Sequence, residues 1–325
     1  MTHAKPQQFV VLRDEGPFDA LRGGVFALGN FDGVHRGHRA VIATARERAA
    51  RLGVPAAVLT FEPHPRAFFK PDEPLFRLTD ERNKLRLLAA TGLDGALVMR
   101  FDAALARVTA QEFVDRILVE RLAVSGVVVG YNFHFGKARA GSPEFLAAQG
   151  QRHGIVVDIA PQFTYRGRPV SSGPVRDALI AGNVADATEL LGFPWFVSGT
   201  VIHGDKRGRE LGYPTANLAL DPSCALRHGI YAVRVGLGAE RYDGVASFGR
   251  RPTFDNGAVL LEVFLFDYAG DLYGRDLDVA FIGWIREEMK FASVEALIDR
   301  MDEDSRKARV ALSSNRDTFP PIGAF

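Results

Sequence analysis

Near residue 174 the hydrophobic pattern changes character, and that change limits the fold more than any other feature of the chain. Before it, apolar runs bounded by glycine alternate with segments of helical spacing. "GGVFALGNF", "VPAAVLTF", "DGALVMRF", "SGVVVGYNF" and "IVVDIAP" read as buried strands. The helices between them are "GHRAVIATARERAARLG", ending at Gly53, "DERNKLRLLAATG", opened by Thr79 and Asp80, and "FVDRILVERL", preceded by a Thr109/Glu112 capping box; "PEFLAAQGQRHG" starts at Ser142-Pro143. Continuously apolar strands separated by helices predict a doubly wound parallel sheet covered on both faces. After the change, "PVRDALIAGN" and "VADATELLG" read as two short helices. From Trp195 onward, strands follow one another with only turns between: "WFVSGTVIHG", "GIYAVRVGLG", "RYDGVASFG", "AVLLEVFLFDY" and "LDVAFIGWIR". Succession without helices predicts an antiparallel β-barrel, closed by the charged helix "SVEALIDRMDEDSRKARVAL". The expected organisation is an α/β domain over 1–188 and a barrel domain over 189–325, with the boundary inside 183–195.

Two domains suit a length of 325 residues. The net charge of +1 gives no general attraction to nucleic acid or to an anionic membrane. Cys224 is the sole cysteine, so no intrachain disulfide and no cysteine metal cluster is available, which suits a reducing compartment. The beginning of the chain, "MTHAKPQQFVVLRDEG", has no signal-peptide apolar run, and no stretch reaches membrane-span length. A cytoplasmic protein with small-molecule partners is the expectation.

Two bends carry most of the chemistry. "ALGNFDGVHRGH", residues 27–38, lies between a predicted strand and a predicted helix. In a parallel sheet that is the carboxyl end of a strand, where ligands bind. Gly29, Gly33 and Gly37 allow close backbone approach, the helix start favours phosphate, and His35 and His38 supply hydrogen-bond donors. A tight turn with incidental histidines is the plain alternative. A zinc site of His35, His38 and His64 is another, although no H-E-x-x-H pattern supports it.

The second bend is "GTVIHGDKRGRELGYPTANL", with glycines at 204, 208 and 212 and cations between them. It is not a Walker A loop. Thr215 and Asn217 share a side if the segment is extended, and both offer the oxygen donors that magnesium prefers. Turn chemistry alone explains the same composition. Farther on, Glu262 alternates with apolar neighbours in "LLEVFLF". A carboxylate on an apolar face is costly without a task or a partner.

Several of these blocks together resemble a known family. "GNFDGVHRGH", "TFEPHP", "VGYNFHFGKARAGS" and "VSSGPVRDAL" are similar, in order, to the nucleotidyltransferase module of the bacterial bifunctional riboflavin kinase/FMN adenylyltransferases. "GDKRGRELGYPTAN", "GIYAV", "GVASFGRRPTF" and the run from "LEVFLF" through "IREEMKF" to the last helix are similar to the family's riboflavin kinase module. The resemblance implies a Rossmann-like nucleotidyltransferase domain followed by a kinase barrel. It implies ATP as co-substrate, Mg2+ as cofactor, and riboflavin, FMN and FAD as substrates and products.

Residue roles come with the resemblance. Glu262 is the expected general base of the kinase, and Thr215 and Asn217 the metal-side ligands. Gly204, Lys206, Arg207 and Gly212 belong to the kinase nucleotide flap. Arg286, Glu288 and Phe291 belong to the flavin side. In the first module His35 and His38 steady the triphosphate, and Arg176 the leaving pyrophosphate. Gly29, Asn30, Phe31, Asp32, Gly37, Ser171 and Ser172 line the nucleotide, Lys137 and Arg139 assist from a glycine-flanked loop, and His64, Asn132 and Phe133 face the flavin.

Three positions depart from the pattern. Asn132 stands where the family has aspartate, Gly173 where it has threonine, and Ser247 where it has asparagine. The first two motivate a kinase-only alternative. A flavin- or nucleotide-binding regulator without turnover is a further alternative, opposed by Glu262, Thr215 and Asn217.

Overall fold

The computed structural model describes residues 8–14, 16–204, 212–250, 259–314 and 318–325. The chain forms two compact units. One contains Met1–Leu75, Thr79–Ser171 and Pro321–Phe325, and the other Phe76–Leu78 and Ser172–Pro320.

The first unit is built on six parallel strands: β1 (Val10–Arg13), β2 (Val25–Leu28), β3 (Ala56–Glu62), β4 (Gly95–Arg100), β5 (Gly126–Gly130) and β6 (Val156–Ala160). Their order is β1-β4-β3-β2-β5-β6. β2 is buried along its whole length, as a central strand covered on both faces must be. From β2 the chain winds outward through β3 and β4, then returns to place β5 on the other side of β2. That reversal is a topological switch point, and the loop after β2 opens onto it.

The helices of this unit are α1 (Arg36–Leu52), α2 (Pro65–Phe69), α3 (Glu81–Ala89), α4 (Ala110–Glu112) and α5 (Pro143–His153). α1 ends at Gly53 in the left-handed conformation, as its sequence predicts. The capping box at Thr109 and Glu112 is present. Beyond it, Phe113–Arg121 is wound as a π-helix instead of the expected α-helix, for which the sequence offers no signal. A small hairpin, β7 (Thr164–Tyr165) and β8 (Arg168–Pro169), precedes the end of the unit.

The second unit begins with α6 (Ser172–Ile180) and α7 (Val184–Leu191). Its sheet contains β9 (Phe196–Thr200), β10 (Ala216–Ala219), β11 (Gly229–Leu237), β12 (Glu240–Arg250), β13 (Val259–Leu265) and β14 (Asp276–Arg286). They pair antiparallel in the order β10-β13-β12-β11-β14-β9. A bridge between Ile202 and Asn217 brings the chain beyond β9 back to β10, which nearly closes the barrel. β13 alternates strictly: Val259, Leu261, Val263 and Leu265 are buried, while Leu260, Glu262 and Phe264 occupy the other, half-buried face.

The last helix, α8 (Val294–Ser313), is capped by Ser293 and buries Asp304, Ala308 and Leu312 along one stripe. Ala308 and Leu312 pack with Ala232 and Phe266, flanked by Val245, Phe264, Ile282 and Ile285. Arg234, buried in the barrel, donates from Nη2 to the Leu312 carbonyl at 3.2 Å and from Nε to Asp243 at 2.9 Å. It thereby supplies a cation to the carbonyl end of α8.

Candidate functional site

The loop after β2 is held in an uncommon backbone shape. Phe31 and Val34 have φ of 51° and 40°, a region that side chains other than glycine seldom adopt. Phe31 is buried and meets the His38 ring edge-on at 5.3 Å. A methyl on Gly29 would lie 3.3 Å from the Phe31 ring, so that glycine lets the ring fold back over the loop. Asp32 is also buried. Its Oδ1 accepts the Thr79 N–H at 3.1 Å, and the Gly33 N–H donates to Thr79 Oγ1 at 3.1 Å. Asp32 thus latches the loop to the residues that enter α3.

His35 is the N-cap of α1. Its Nδ1 accepts the backbone N–H of His38 at 3.2 Å, so in the neutral ring the proton sits on Nε2. The two imidazoles stack with centroids 3.6 Å apart. His38 Nδ1 is buried and has no hydrogen-bond partner among the described residues. Burial, with the nearby charges of His35 and Lys84 adding to it, holds the His38 pKa well below the ordinary histidine value. A methyl on Gly37 would lie 3.2 Å from both the His35 ring and the Val170 carbonyl, so a larger residue would crowd the helix start. Two stacked imidazoles at the positive end of a 17-residue helix form a setting suited to a phosphate chain.

A residue absent from the sequence expectations supports this loop. Lys84 of α3 is 2% exposed and pairs with Glu62 at 2.7 Å. Its Nζ also donates to Thr60 Oγ1 at 3.2 Å and to the Phe61 carbonyl at 3.3 Å. Thr60 in turn donates to the Asn30 carbonyl at 3.2 Å. The signal was present in the sequence: a lysine three and four residues before Leu87 and Leu88, on the buried side of α3.

The other expected residues of this module are placed as follows. His64 caps α2, with Nδ1 accepting the Arg66 N–H at 3.1 Å. Asn132 and Phe133 follow β5, the strand beside β2. Asn132 is exposed, whereas Phe133 is half-buried and stacks on Phe135 at 5.7 Å. Lys137 and Arg139 are exposed on the same loop. Ser171 is exposed at the end of the first unit. Ser172 opens α6 in the second unit, with Gly173 and Pro174 in the first turn, where proline is tolerated. Arg176 on the same helix donates from Nε to the Phe76 carbonyl at 2.6 Å. Among the described residues, no group of three His, Cys, Asp or Glu side chains is arranged to hold a metal ion, so the zinc alternative has no site there.

In the second unit the register assembles the expected residues in a row across the sheet. Asn217 of β10 faces Glu262 of β13, Glu262 faces Ser247 of β12, Ser247 faces Ile230 of β11, and Ile230 faces Arg286 of β14. Directly opposed residues share a face, so these five line one side of the sheet. Asn217 is buried, and among the described residues its Oδ1 has no hydrogen-bond partner. A methyl on Gly204 would come within 2.5 Å of the Asn217 amide, so only glycine leaves that amide its place. Gly212 has φ of 84°, which turns the chain into "YPTAN". Thr215 is half-buried, two residues before Asn217. Lys206 and Arg207 lie outside the described residues.

Arg286 is engaged by the last helix. Its guanidinium grips Asp304 of α8 from Nε at 2.9 Å and from Nη2 at 2.6 Å. Arg286 therefore holds the helix, with Phe291 5.8 Å from its guanidinium carbon. Glu288 is exposed, and its carboxylate lies against Gly249, where any side chain would collide with it.

A histidine-bearing loop at the switch point of a parallel sheet, joined in one chain to a barrel whose cross-strand row sets oxygen donors beside a carboxylate, defines a two-module nucleotide-dependent transferase. Comparison with known proteins makes the class specific. Residues 18–174 match the family model "FAD synthetase", and residues 191–312 match "Riboflavin kinase". The bifunctional riboflavin kinase/FMN adenylyltransferase of Pseudomonas fluorescens is 45% identical over 89% of this chain and 93% of its own length. The Escherichia coli K12 protein of the same description is 43% identical over 88% of this chain and 92% of its own. A crystal structure described as a macrolide-efflux protein from Streptococcus pneumoniae matches with a TM-score of 0.83 at 31% identity, covering 93% of this chain and 99% of that one. No helix among the described residues of the present chain is long and apolar enough to cross a membrane. The chain belongs to the family of bifunctional riboflavin kinase/FMN adenylyltransferases.

Proposed function

We propose that this chain phosphorylates riboflavin to FMN at the barrel and adenylylates FMN to FAD at the parallel-sheet module, using ATP in both steps. The observation that carries the reading is the register row that sets Glu262 between Asn217 and Ser247. In the first reaction the ribityl 5′-hydroxyl oxygen attacks the γ-phosphorus of ATP. The bond between that phosphorus and the β,γ-bridging oxygen breaks, and ADP leaves. Glu262 takes the hydroxyl proton as general base.

The donor set beside Glu262 fits magnesium: on Asn217 a buried amide oxygen without a partner among the described residues, a threonine hydroxyl two residues earlier, and a glycine that leaves the amide room. Bound there with ATP, the ion would offset charge on the phosphate oxygens. Asn217 and Thr215 would hold it, and Gly204 and Gly212 would let the flap backbone approach the nucleotide.

In the second reaction the FMN phosphate is itself the nucleophile. Its oxygen attacks the α-phosphorus of ATP, the α,β-bridging bond breaks, and pyrophosphate leaves, so no protein nucleophile is needed. The protein's contribution is positioning and charge stabilisation. His35 and His38, with the first turn of α1, steady the phosphates. Gly29, Asn30, Phe31 and Asp32 set the loop's shape, and the loop carrying Asn132 and Phe133 offers the flavin side. For Arg176, Ser171 and Ser172 the proposed role is contact with the phosphates of the leaving group.

A chromatographic time course with riboflavin, ATP and magnesium tests the reading. FMN should rise first and FAD follow, with one pyrophosphate released per FAD. FMN that accumulates without FAD or pyrophosphate would leave the kinase alone. Tight binding of riboflavin and Mg-ATP without any FMN would favour a regulator.

A further inference from the structure

One turn of α8 holds the Arg286 end of the kinase row and, through Tyr213, the segment that leads into β10. At one end, Arg286 is bound by Asp304 through three contacts of 2.6–2.9 Å, and the two side chains are 11% and 4% exposed. The pairing of β14 with β11 shifts register between Ile230 and Tyr231 and again between Ala232 and Val233. Such bulges re-aim the side chains that follow them, and here the re-aimed side chain is Arg286. On the segment before β10, the Tyr213 hydroxyl donates to Asp302, two residues before Asp304. Tyr213 is buried, and its ring lies 4.9 Å from that of Phe264, which shares the face of Glu262 on β13. It also stands four residues before Asn217, at the start of "YPTAN".

A buried ion pair is a poor source of net stability, because desolvation offsets its attraction. Fixing register or geometry is the better attested use of such a pair. α8 is itself fixed by the packing of Ala308 and Leu312 and by Arg234 at its carbonyl end, so it is a firm support. Burial, with Asp302 adding to it, pushes the Tyr213 pKa up to about 12, so the hydroxyl remains a donor near neutral pH.

We propose that the Asp302–Asp304 turn of α8 is a positioning element for phosphoryl transfer, setting the reach between the nucleotide end of the row, through Tyr213, and the flavin end, through Arg286. Neither aspartate touches substrate in this assignment. The proposal rests on the kinase reading of the barrel.

The test uses Asp304→Asn and Tyr213→Phe in the full chain. Asp304→Asn keeps the shape and removes the charge that orients Arg286. It should raise the riboflavin KM about tenfold, the order expected for losing a charge-assisted hydrogen bond, and leave the Mg-ATP KM within about twofold. Tyr213→Phe keeps the ring packing and removes the hydroxyl. It should raise the Mg-ATP KM and leave that of riboflavin within about twofold. FMN adenylylation by the same preparations should match the unmodified chain. Unchanged KM values in Tyr213→Phe, or the same KM rising equally in both variants, would overturn the proposal. Should Asp304→Asn fail to fold, Tyr213→Phe decides alone, since it keeps the buried ion pair. An unmodified chain that makes no FMN would instead overturn the kinase reading.

Discussion

Asn217 and Glu262 stand directly opposite each other where β10 pairs with β13. An amide oxygen without a partner among the described residues and a half-buried carboxylate therefore share one face of the barrel. If the first holds the metal-nucleotide side and the second takes the hydroxyl proton, the amide Glu262→Gln keeps the shape and loses the base. FMN formation should fall about 10²–10⁴-fold, the usual range for a general base. FAD formation from supplied FMN should be unchanged. Loss of both reactions in a folded protein would contradict this division of labour.

His38→Ala should do the reverse. The imidazole stacked on His35 at the head of α1 belongs to the parallel-sheet module. Its removal should slow adenylylation about 10²-fold or more, in line with the loss of one preorganised donor. Riboflavin phosphorylation, followed separately as FMN release, should continue at the original rate.

The same histidine gives a pH dependence with a definite sign. In the folded chain its pKa is depressed, by burial first and then by His35 and Lys84. Below about pH 6.5 the unfolded chain therefore binds a proton that the folded chain refuses. Folding stability from this group falls as pH drops through that value. Melting temperatures of the unmodified chain and of His38→Gln, compared from pH 7.5 down to pH 5, should show the smaller acid loss in the variant. Equal losses would place the His38 pKa near its ordinary value.

What the sequence made legible was decided locally. β2 and β5 are apolar throughout because both faces are covered, and α1 announces its end at Gly53 through a left-handed cap. What stayed hidden depends on partners far away in the chain. β10 is "ANLA", with turn-like composition before it, and becomes a strand by pairing with residues 260–263. β1 is a four-residue edge strand defined by β4. Arg286 matched its motif, but the 18-residue step to Asp304 that engages it is not written in any local pattern. Lys84 and Asp304 share a weaker signal: each is a charge on the apolar stripe of a helix, which is costly unless a buried partner meets it.

Lys84 shows what that cost amounts to. Replacing it with Met takes the buried ammonium away from Glu62, whose side chain is only 10% exposed. Breaking a buried pair from one side typically costs about 3–5 kcal/mol. Thermal unfolding of Lys84→Met should show the parallel-sheet unit melting earlier. Lys84→Met combined with Glu62→Gln should recover part of the loss, because the carboxylate charge is removed with the cation. Melting of the single variant at the original temperature would mean that Glu62 is solvated well enough to stand alone.

Gly204→Ala probes the proposed nucleotide end of the barrel by steric means alone. The added methyl would meet the Asn217 amide at 2.5–3.1 Å, closer than side-chain carbons normally approach. Asn217 is buried in β10 and bonded through its backbone to β13 and to Ile202, so the strand resists moving and the amide must swing instead. Displacing a substrate-positioning group by about an ångström costs on the order of 100-fold. The variant should keep its fold and its adenylylation, lose kinase kcat/KM by about that factor, and need more magnesium for half-maximal rate. Normal kinase kinetics in Gly204→Ala would show that the Asn217 amide does not serve the nucleotide, and the role of its buried oxygen would have to be sought in packing.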